Sequence, residues 1–385
     1  MKKFCILTAT RAEYGLLKPL ILALKKEDLF DVDIVATGMH LSPEYGLTYQ
    51  EIEQNGIEIA EKIPLQMDSD TAEGISQTMA SALSGFGTYF QNHKPDILIV
   101  LGDRYETIAV CLAATNARIP IAHLYGGETT EGAADEAYRH AITKMSYLHF
   151  TSTEAYRSRV IQLGESPERV FAVGALGIEN ILSVPLMSLL ELEENLSFQL
   201  GETYAVVTFH PVTLEISTAE EQIEALLSAI ETFPEMRFIF TKANADADSR
   251  IINQKIDQFV LKRSNCLAIT SLGMRRYLSA VKHSAVVIGN SSSGLIEVPS
   301  LNVPTVNIGD RQKGRLQADS IINCPPNSDE IIKAIQESLT DEFKQKAKAT
   351  VNPYGDGNTS AKIVVALKEY MIDGKMNLKK KFYDL

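Results

Sequence analysis

The first half of the chain alternates short, almost continuous apolar runs with longer stretches in which apolar residues recur at helical spacing. Six runs are predicted as strands: Phe4–Ala9, Val32–Ala36, Ile97–Leu101, Ile119–Leu124, Leu148–Ser152 and Val170–Val173. Helices are predicted between them at Tyr14–Lys26, Thr71–Asn92, Tyr105–Asn116, Ala134–Met145 and Glu154–Gly164. Strands that are apolar on both faces are typical of a parallel sheet covered by helices on both sides. The pattern therefore predicts a doubly wound α/β layer.

The alternation stops at a Leu/Glu-rich segment, 183–201, which is predicted as a linker helix with Pro185 near its start. It then resumes with strands predicted at Tyr204–Phe209, Arg237–Lys242, Cys266–Thr270, Ala285–Gly289 and Thr305–Ile308. The helices of this part are predicted at Glu220–Thr232, Arg250–Lys262, Met274–Lys282, Gly294–Ser300 and Asp329–Leu339.

We therefore expect two α/β domains of the Rossmann type, at 1–182 and 204–361, joined by a linker or hinge at 183–203. A last helix and a polar tail, 362–385, could cross back onto the first domain. Two such domains are expected to face a cleft, in which ligands lie at the carboxyl ends of the strands.

Composition narrows the class of protein. The 385 residues are 45% apolar and 22% charged, which is typical of a globular protein. No apolar stretch reaches the length that a membrane helix needs, and the short apolar run after the two N-terminal lysines reads as a strand and not as a signal peptide. The net charge of −12 argues against nucleic acid as a partner, but a few local arginines can still bind a small anion.

The four cysteines stand at positions 5, 111, 266 and 324, without a CxxC pair or a His–Cys spacing. This argues against a disulfide framework and against a metal site, and it makes the cytoplasm the natural compartment. The dinucleotide fingerprint GxGxxG, the Walker loop, HExxH and GxSxG are also missing, so metal and acyl-enzyme chemistry have no support.

Polar residues follow the first two central strands of the predicted first domain. Arg11 comes directly after a strand, where a guanidinium can bind phosphate or can simply pair with Glu13 at the surface. Asp103 and Arg104 follow the strand at 97–101. Asp103 either caps the next helix or presents a carboxylate to the cleft, with a basicity tuned by Arg104 and by burial.

The strand at 119–124 is followed by the richest group of titratable residues: Tyr125, Glu128, Glu131 and Asp135, with two glycines at 126–127. The glycines let backbone approach a ligand closely. An acidic, solvated loop is the plainer interpretation. Because the loop follows a buried strand at the expected cleft, we favour a group of carboxylates that removes and returns a proton at carbon.

The second domain presents candidate residues for an anion. His210 and Asn244 stand at strand ends, although a single histidine in such a place is more often a bystander. Between the strand at 285–289 and the next helix lie Ser291, Ser292, Ser293 and Gly294, whose N–H groups and hydroxyls could bind phosphate. Glu297 is expected one turn into that helix, where it could accept from ribose hydroxyls. Arg311 lies in a loop with three positive charges, which either neutralises phosphate or is merely solvated.

Together these segments resemble one family, the hydrolysing UDP-N-acetylglucosamine 2-epimerases, in particular the bacterial sialic-acid-pathway type. The resemblance runs from Phe4 to about Ser360, and Gly-Asn-Ser-Ser-Ser-Gly at 289–294 and Gly-Asp-Arg-Gln at 309–312 are its most specific parts. The other matching segments are Thr-Arg-Ala-Glu-Tyr-Gly at 10–15, Thr-Gly-Met-His at 37–40, Gly-Asp-Arg-Tyr-Glu at 102–106, Gly-Gly-Glu at 126–128 and the helical stretch 139–146.

The resemblance implies a glycosyltransferase-B-like fold and a reaction that needs neither metal nor cofactor. UDP leaves C1 as the C2 proton is removed, which gives a 2-acetamidoglucal. Water then adds at C1 and a proton returns to C2 from the other side, which gives free N-acetylmannosamine.

The resemblance also implies roles for individual residues. Asp103 and Asp135 match acids with catalytic roles, and Glu128 lies in the matching Gly-Gly-Glu segment. The positions that match UDP-holding residues are Arg11, His210, Asn244, Ser292, Ser293, Glu297 and Arg311, and we add Arg104, Ser291 and Gly294 as candidates from their place in the pattern.

One departure from the family pattern leaves the acid–base assignment open. Many relatives carry His-Ile-Glu-Gly-Gly-Glu. Here Tyr125 stands at the position of the first glutamate, which the close bacterial subgroup also lacks. The match of Asp135 requires a gap of one residue. Glu128 or Glu131 could take the missing role, or Tyr125 could donate the proton.

Several alternatives remain at the level of sequence. The same chemistry could act on UDP-2,4-diacetamido-2,4,6-trideoxyglucose, on the way to a legionaminic-type acid. A non-hydrolysing epimerase would return UDP-N-acetylmannosamine, a glycosyltransferase would need an acceptor site, and a binding module would hold a UDP-sugar without turnover. The resemblance further implies a homodimer or a homotetramer, for which the helices near 71–92 and 105–116 offer apolar surfaces that could equally be ordinary sheet-covering helices.

Overall fold

A computed structural model describes residues 1–67, 71–129, 134–211, 219–242, 249–270, 272–372 and 376–385. The chain divides into two compact units. The first consists of Met1–Asn180 with Tyr354–Leu385, and the second is Ile181–Pro353. Each unit is built on one parallel sheet.

The sheet of the first unit has seven strands in the order β3-β2-β1-β4-β5-β6-β7, and all of its neighbours are parallel. The strands are β1 Lys2–Thr8, β2 Phe30–Thr37, β3 Glu61–Ile63, β4 Ile97–Leu101, β5 Ile121–Leu124, β6 Leu148–Thr151 and β7 Val170–Ala172. The strand order reverses between β1 and β4. This is the point where open α/β sheets place their ligands, outside the carboxyl ends of the strands.

Helices cover both faces of this sheet. They are α1 Arg11–Lys25, α2 Tyr49–Gln54, α3 Ala72–His93, α4 Tyr105–Asn116, α5 Ala134–Met145, α6 Glu154–Gln162 and, near the unit boundary, α7 Leu176–Ser183. Side chains of β1 alternate between two cores: Phe4 and Ile6 pack in the cluster of α1, whereas Cys5 and Leu7 pack in the cluster of α3 and α4. A continuous apolar strand is thus buried on both faces, as the sequence pattern predicts.

The second unit repeats this architecture with six parallel strands in the order β10-β9-β8-β11-β12-β13. The strands are β8 Tyr204–Thr208, β9 Arg237–Thr241, β10 Cys266–Ile269, β11 Val286–Gly289, β12 Thr305–Ile308 and β13 Ile321–Cys324. The helices are α8 Leu189–Leu196, α9 Ala219–Glu231, α10 Ser249–Val260, α11 Gly273–His283, α12 Ser292–Ile296, α13 Ser328–Ser338 and α14 Asp341–Ala349. The strand order reverses between β8 and β11.

The last helix, α15 Thr359–Ile372, belongs to the first unit, where it packs on α1. The unit boundaries differ from the predicted domain limits. The residues predicted as a linker, 183–203, lie in the second unit, where α8 contacts α11, and the chain returns to the first unit at Tyr354 and not at 362.

The predicted α/β class with two Rossmann-type units is confirmed. Two of its details are wrong. The predicted helix at 183–201 is helical only over Leu189–Leu196, and the predicted helix at 294–300 is a five-residue α12 followed by a 3₁₀ turn at Val298–Leu301. Glu297 is therefore the residue that ends α12, and it does not lie one turn inside a longer helix.

All four cysteines are free and buried, which explains their place in apolar runs. Among the residues that the structure describes, no group of His, Cys, Asp and Glu side chains is arranged to hold a metal ion. Within these described residues, no helix is both long and apolar enough to span a bilayer.

Candidate functional site

In the first unit, one buried arginine connects the ends of two neighbouring strands. Arg139, on α5, is 4% exposed, and its guanidinium forms an ion pair with the carboxylate of Asp103, directly after β4. It also donates to the backbone carbonyl of Glu128, after β5, at 2.7 Å, and to the carboxylate of Glu136 at 2.8 Å. Asp103, Glu128 and the first turn of α5 are therefore brought together around one guanidinium.

Asp103 does not cap the following helix, so that interpretation of its position is wrong. The residue that precedes α4 is Arg104, and no side chain caps this helix. Asp103 pairs with Arg139 instead. Asp103 thus pairs with an arginine at the point where the strand order reverses, and it does not act as a helix cap.

A buried histidine fixes the backbone next to Asp103. The Nε2 of His123, on β5, lies 2.7 Å from the carbonyl oxygen of Gly102, and its Nδ1 lies 3.2 Å from the hydroxyl of Thr143. A carbonyl can only accept, so Nε2 carries the hydrogen and Nδ1 accepts from Thr143. Burial lowers the pKa of His123 to about 3, so the ring is neutral at physiological pH.

The first turn of α5 adds a second carboxylate to the cluster. The pKa of Asp135 is raised, first by partial burial and then by the negative charge of Asp103, while Arg104 and Arg139 oppose the rise. This shows that the two aspartates are near enough to influence each other. A pair of carboxylates whose environments differ in this way can divide the roles of acid and base between them.

The remaining candidates of this loop have separate surroundings. Glu128 is half-buried and accepts a hydrogen bond of 2.6 Å from the hydroxyl of Ser152, after β6. Tyr125 has a left-handed backbone, with φ of +68°, and its hydroxyl accepts from the N–H of Gly177 at 3.4 Å. Glu131 lies outside the described residues.

The two glycines between Tyr125 and Glu128 are required by space as well as by conformation. A Cβ on Gly127, whose φ is +81°, would lie 2.5 Å from the carbonyl oxygen of Tyr156 on α6. A Cβ on Gly126 would lie 3.0 Å from the ring of His123. The loop that carries Glu128 is thus packed tightly against β5 and α6.

Two arginines border the same edge of the sheet. Arg11 is exposed and pairs with Glu51 at 2.8 Å, so the predicted alternative of a pair with Glu13 is wrong. The carboxylate of Glu13 instead accepts from the backbone N–H groups of Ala9 and Thr10, at 2.7 and 3.1 Å, and closes a capping box at the start of α1.

Arg104 is held by a buried glutamate. Its Nε donates to Glu106 at 2.5 Å, and the carboxylate of Glu106 is fully buried. Burial raises the pKa of the neighbouring Glu13 to about 7, and the charge of Glu106 contributes to this rise. Arg104, the residue after Asp103, is therefore held in place by its ion pair with Glu106.

In the second unit, two reciprocal hydrogen bonds between His210 and Asn290 join the ends of β8 and β11. The N–H of His210 donates to the side-chain oxygen of Asn290, and the side-chain amide of Asn290 donates to the carbonyl of His210, both at 2.7 Å. The chains approach each other so closely here that a Cβ on Gly289, at φ +138°, would lie 1.9 Å from the carbonyl oxygen of Thr208. Only glycine fits at this point.

The loop after β11 carries a chain of hydroxyl groups. Ser291 precedes α12 and accepts from the N–H of Ser293. The hydroxyl of Ser293 donates to Glu297 at 2.6 Å and therefore accepts from the hydroxyl of Tyr277, on α11, at 2.8 Å. Burial raises the pKa of Glu297, and the hydrogen bond from Ser293 opposes it. Ser292 and Gly294 complete this turn, in which Gly294 packs against Thr305.

Arg311 approaches the same loop from the end of β12. Its guanidinium donates to the carbonyl of Asn290 at 3.0 Å, and the side chain of Gln312 donates to the same carbonyl at 2.9 Å. His210, Asn290, Ser291 and Arg311 are thus joined into one strand-end cluster. Asn244 lies outside the described residues.

Arg139 and Tyr277 are among the residues of these clusters that the predicted site does not include. Arg139 could have been found from its spacing, because it lies three and four residues after Glu136 and Asp135 on one helix face. Tyr277 could not, because only the packing of α11 beside α12 brings its hydroxyl to Ser293.

The fold defines a class of protein. A solved structure described as a putative UDP-N-acetylglucosamine 2-epimerase from Listeria monocytogenes superposes with a TM-score of 0.81, at 20% identity, and covers 100% of both chains. The UDP-GlcNAc 2-epimerase of Neisseria meningitidis, solved with UDP-GlcNAc, gives a TM-score of 0.78 at 21% identity, over 96% of this chain and 100% of that one. The protein therefore has the two-domain, glycosyltransferase-B-like α/β fold.

Sequence comparison gives the family. The family model described as UDP-N-acetylglucosamine 2-epimerase matches residues 22–368. The polysialic acid biosynthesis protein P7 of Escherichia coli is 42% identical, over 100% of this chain and 98% of the relative. A GDP/UDP-N,N'-diacetylbacillosamine 2-epimerase (hydrolyzing) of Campylobacter jejuni is 41% identical, over 89% of each chain. The chain belongs to the UDP-N-acetylglucosamine 2-epimerase family.

Proposed function

We propose that the protein is a hydrolysing UDP-N-acetylglucosamine 2-epimerase, which converts UDP-N-acetylglucosamine and water into N-acetylmannosamine and UDP for sialic acid biosynthesis. The observation that carries this proposal is the pair of acids Asp103 and Asp135 beside Arg139, which also donates to the backbone carbonyl of Glu128. Inversion at C2 requires one group that removes a proton and another that returns one, and this edge of the sheet offers both. The full-length similarity to a protein named for polysialic acid biosynthesis supports the pathway.

The reaction divides into two balanced steps. In the first, a carboxylate takes the C2 proton, the C1–O bond breaks, and UDP leaves with the electron pair of that bond, which gives a 2-acetamidoglucal. In the second, water adds across the double bond: its hydroxyl goes to C1 and a proton goes to the opposite face of C2. We assign proton removal to Asp103 and proton return to Asp135, the neighbouring acid whose pKa is raised by partial burial and by the charge of Asp103. Glu128 and Glu131 remain candidates for the role of the glutamate that Tyr125 replaces, and Tyr125 remains a candidate proton donor.

The departing diphosphate is assigned to the second unit. His210, Ser292, Ser293, Gly294 and Arg311 offer donors at the strand ends, and we keep Asn244 as a candidate from the family resemblance. Because α12 has only five residues, its dipole is small, and the hydroxyl groups and the arginine must contribute most of the binding. The carboxylate of Glu297, ordered by Ser293, is suited to accept from ribose hydroxyls. Arg11 and Arg104 are proposed to contact the substrate from the first unit.

A second candidate substrate is UDP-2,4-diacetamido-2,4,6-trideoxyglucose. The observation that favours it is the 41% identity to the relative named for N,N'-diacetylbacillosamine, and a relative from Legionella pneumophila named for the same sugar is 33% identical over 96% of this chain. The chemistry at C1 and C2 is the same for both sugars. They differ at C4 and C6, so the assignment of the two acids does not depend on this choice.

The test is to give the purified protein each UDP-sugar separately and to identify the products by chromatography and mass spectrometry. Free N-acetylmannosamine and UDP from UDP-N-acetylglucosamine support the proposal, and a preference of tenfold or more in kcat/KM for the diacetamido sugar moves it to the second candidate. A UDP-bound product would instead define a non-hydrolysing epimerase. UDP binding without any product would define a binding module.

We further propose that the protein acts in the cytoplasm as a homodimer or homotetramer, without a metal or another cofactor. The free, buried cysteines fit a reducing compartment. Turnover after extensive dialysis against a chelator, together with the mass measured by light scattering, tests these two statements.

A further inference from the structure

The C-terminal tail, residues 376–385, is fastened to the end of α5 that lies opposite Asp135. The ammonium group of Lys380 donates to the carbonyl of Lys144 at 2.6 Å and to the carbonyl of Ser146 at 2.8 Å. These carbonyls belong to the last turn of α5 and the residue after it, where a helix leaves its backbone acceptors without intrahelical partners. A cation at this place also interacts favourably with the helix dipole.

The same ammonium group is paired with a buried carboxylate. Lys380 contacts Glu165 at 2.8 Å, and Glu165 is fully buried between β6 and the turn before β7. Glu165 also accepts from Lys144 at 2.6 Å and from His149 at 3.1 Å. Burial raises the pKa of Glu165, but the hydrogen bonds from His149, Lys144 and Lys380 outweigh it and hold the pKa at about 2. The tail thus shares one charged partner with α5 itself.

A second anchor fixes the end of the tail. The N–H of Tyr383 donates to the carbonyl of Gly164 at 3.0 Å. The ring of Phe382 lies on Gly164 so closely that a Cβ there would be 2.3 Å from it. At the start of the tail, the N–H of Asn377 donates to the hydroxyl of Tyr147 at 3.1 Å.

Met376, at the start of the tail, packs against the core of the first unit, and the residues after it are held mainly by polar contacts. Phe382 remains 65% exposed, and a groove of about 560 Å³ lined by Tyr147, Arg169 and Tyr370 runs beneath the tail. A strap of ten residues without an apolar core of its own gains little stability by itself. Its interactions are instead concentrated on the end of α5 and on the Glu165 cluster.

We propose that this tail holds α5 in the position that the chemistry needs, with Lys380 as a positioning residue that acts through the helix. The α5 helix has 12 residues and carries Asp135 and Arg139 in its first half. A helix moves as a rigid rod, so a shift at its C-terminal turn is passed on to both side chains. A displacement of about 1 Å at reacting groups lowers turnover by roughly 100-fold. The inference rests on the roles proposed above for Asp103 and Asp135.

The central experiment compares Lys380→Met with Lys380→Arg and with a matched control, Lys381→Met. Lys381 is the next residue and is exposed. Lys380→Met removes the hydrogen bonds to α5 but leaves Lys144 to pair with Glu165. We expect kcat to fall tenfold or more in Lys380→Met, to recover to within threefold of wild type in Lys380→Arg, and to stay unchanged in Lys381→Met.

Two further measurements separate positioning from a general loss of structure. The dissociation constant for UDP should stay within twofold of wild type, because UDP is assigned to the second unit. Hydrogen–deuterium exchange should become faster in the peptide that covers 134–145 and should stay unchanged over β8 and β11. A kcat that is unchanged in Lys380→Met, or a loss that Lys380→Arg does not reverse, would overturn the proposal.

If Lys380→Met does not fold, a second variant provides the test. Phe382→Ala loosens the tail at Gly164 and leaves the ion pair of Lys380 and Glu165 intact. It should show the same faster exchange in α5 with a smaller loss of kcat, and unchanged exchange would contradict the proposal. If wild type itself turns over no UDP-sugar, the proposed function has failed, whereas the exchange measurement still decides whether the tail controls α5.

Discussion

The guanidinium of Arg139 and the carboxylate of Asp103 form an ion pair that joins α5 to the end of β4. Because Arg139 is buried and Asp103 is half-buried, the pair is protected from bulk water on one side and open on the other. The arginine fixes the carboxylate in one orientation. The same arginine reaches Glu128 and Glu136, so a single side chain organises the acidic edge of the first sheet.

Replacement of Asp103 by Asn should abolish turnover and leave UDP binding almost intact. The amide keeps the size of the side chain but cannot take a proton from C2, and loss of a general base costs about 10²- to 10⁴-fold in kcat. The check is steady-state UDP release together with the dissociation constant for UDP. Weaker UDP binding with unchanged turnover of bound substrate would show that Asp103 has a different role.

Replacement of Arg139 by Lys should lower kcat by roughly 100-fold, although the charge is kept. A lysine has one nitrogen and cannot span Asp103, Glu136 and the carbonyl of Glu128 at once, so the acids lose their mutual orientation. The control is Arg118→Lys, at an exposed arginine of the same unit. Equal kcat in both variants would disprove the organising role of Arg139.

Replacement of Tyr277 by Phe should weaken UDP binding roughly fivefold, as expected for a net loss of about 1 kcal/mol from one hydrogen bond. The hydroxyl of Tyr277 orders Ser293, which in turn orders Glu297. The matched control is Tyr204→Phe, in which a buried hydroxyl loses its hydrogen bond to the carbonyl of Ala280 in the same unit. That variant should lower the melting temperature without changing the UDP affinity, and calorimetric titration with UDP compares the two.

Glu13 should make the free energy of unfolding fall as the pH rises from about 5 to 7. Its pKa is raised from 4.5 to about 7 in the folded protein, chiefly by burial, so in this window the unfolded chain has released a proton that the folded chain keeps. Each pH unit then lowers the free energy of unfolding by about 1.4 kcal/mol. The free energy of unfolding of Glu13→Gln, measured relative to that of wild type, should therefore rise by about 2 to 3 kcal/mol between pH 5 and pH 8.

The measurement is urea unfolding of both proteins at the two pH values, with Glu58→Gln as the control at an exposed glutamate. The free energy of unfolding of the control should differ from that of wild type by the same amount at both pH values. A stability difference between Glu13→Gln and wild type that does not change with pH would refute the titration of Glu13 in the folded state.

Most of the fold could be predicted from the sequence, because the central strands are buried on both faces and their apolar runs are continuous. Ile97–Leu101 and Thr305–Ile308 were predicted with the bounds that the structure shows. The strands at Glu61–Ile63 and Ile321–Cys324 were missed, since they are three and four residues long, lie at sheet edges and include polar residues. The predicted helix at 183–201 begins too early, because Pro185 lies in the segment between α7 and α8 and the helix starts only at Leu189.

The candidate site could be predicted only as far as topology determines it. The ends of β4 and β5 must be neighbours once the sheet is parallel, so Asp103 and Glu128 could be grouped from sequence. The burial of Arg139 depends on how α5 is rotated against the sheet, and the contact of Tyr277 with Ser293 depends on the packing of α11. The spacing of Arg139 to Asp135 and Glu136 could have pointed to it, whereas nothing in the local sequence points to the contact of Tyr277 or to the hydrogen bonds of Lys380 at the end of α5.

The most direct test of the central claim is to incubate the metal-free protein with UDP-N-acetylglucosamine in deuterated water and to follow the sugar by proton NMR. We expect free N-acetylmannosamine that carries deuterium at C2, together with one equivalent of UDP. Product with hydrogen retained at C2, or a mannosamine still linked to UDP, would contradict it.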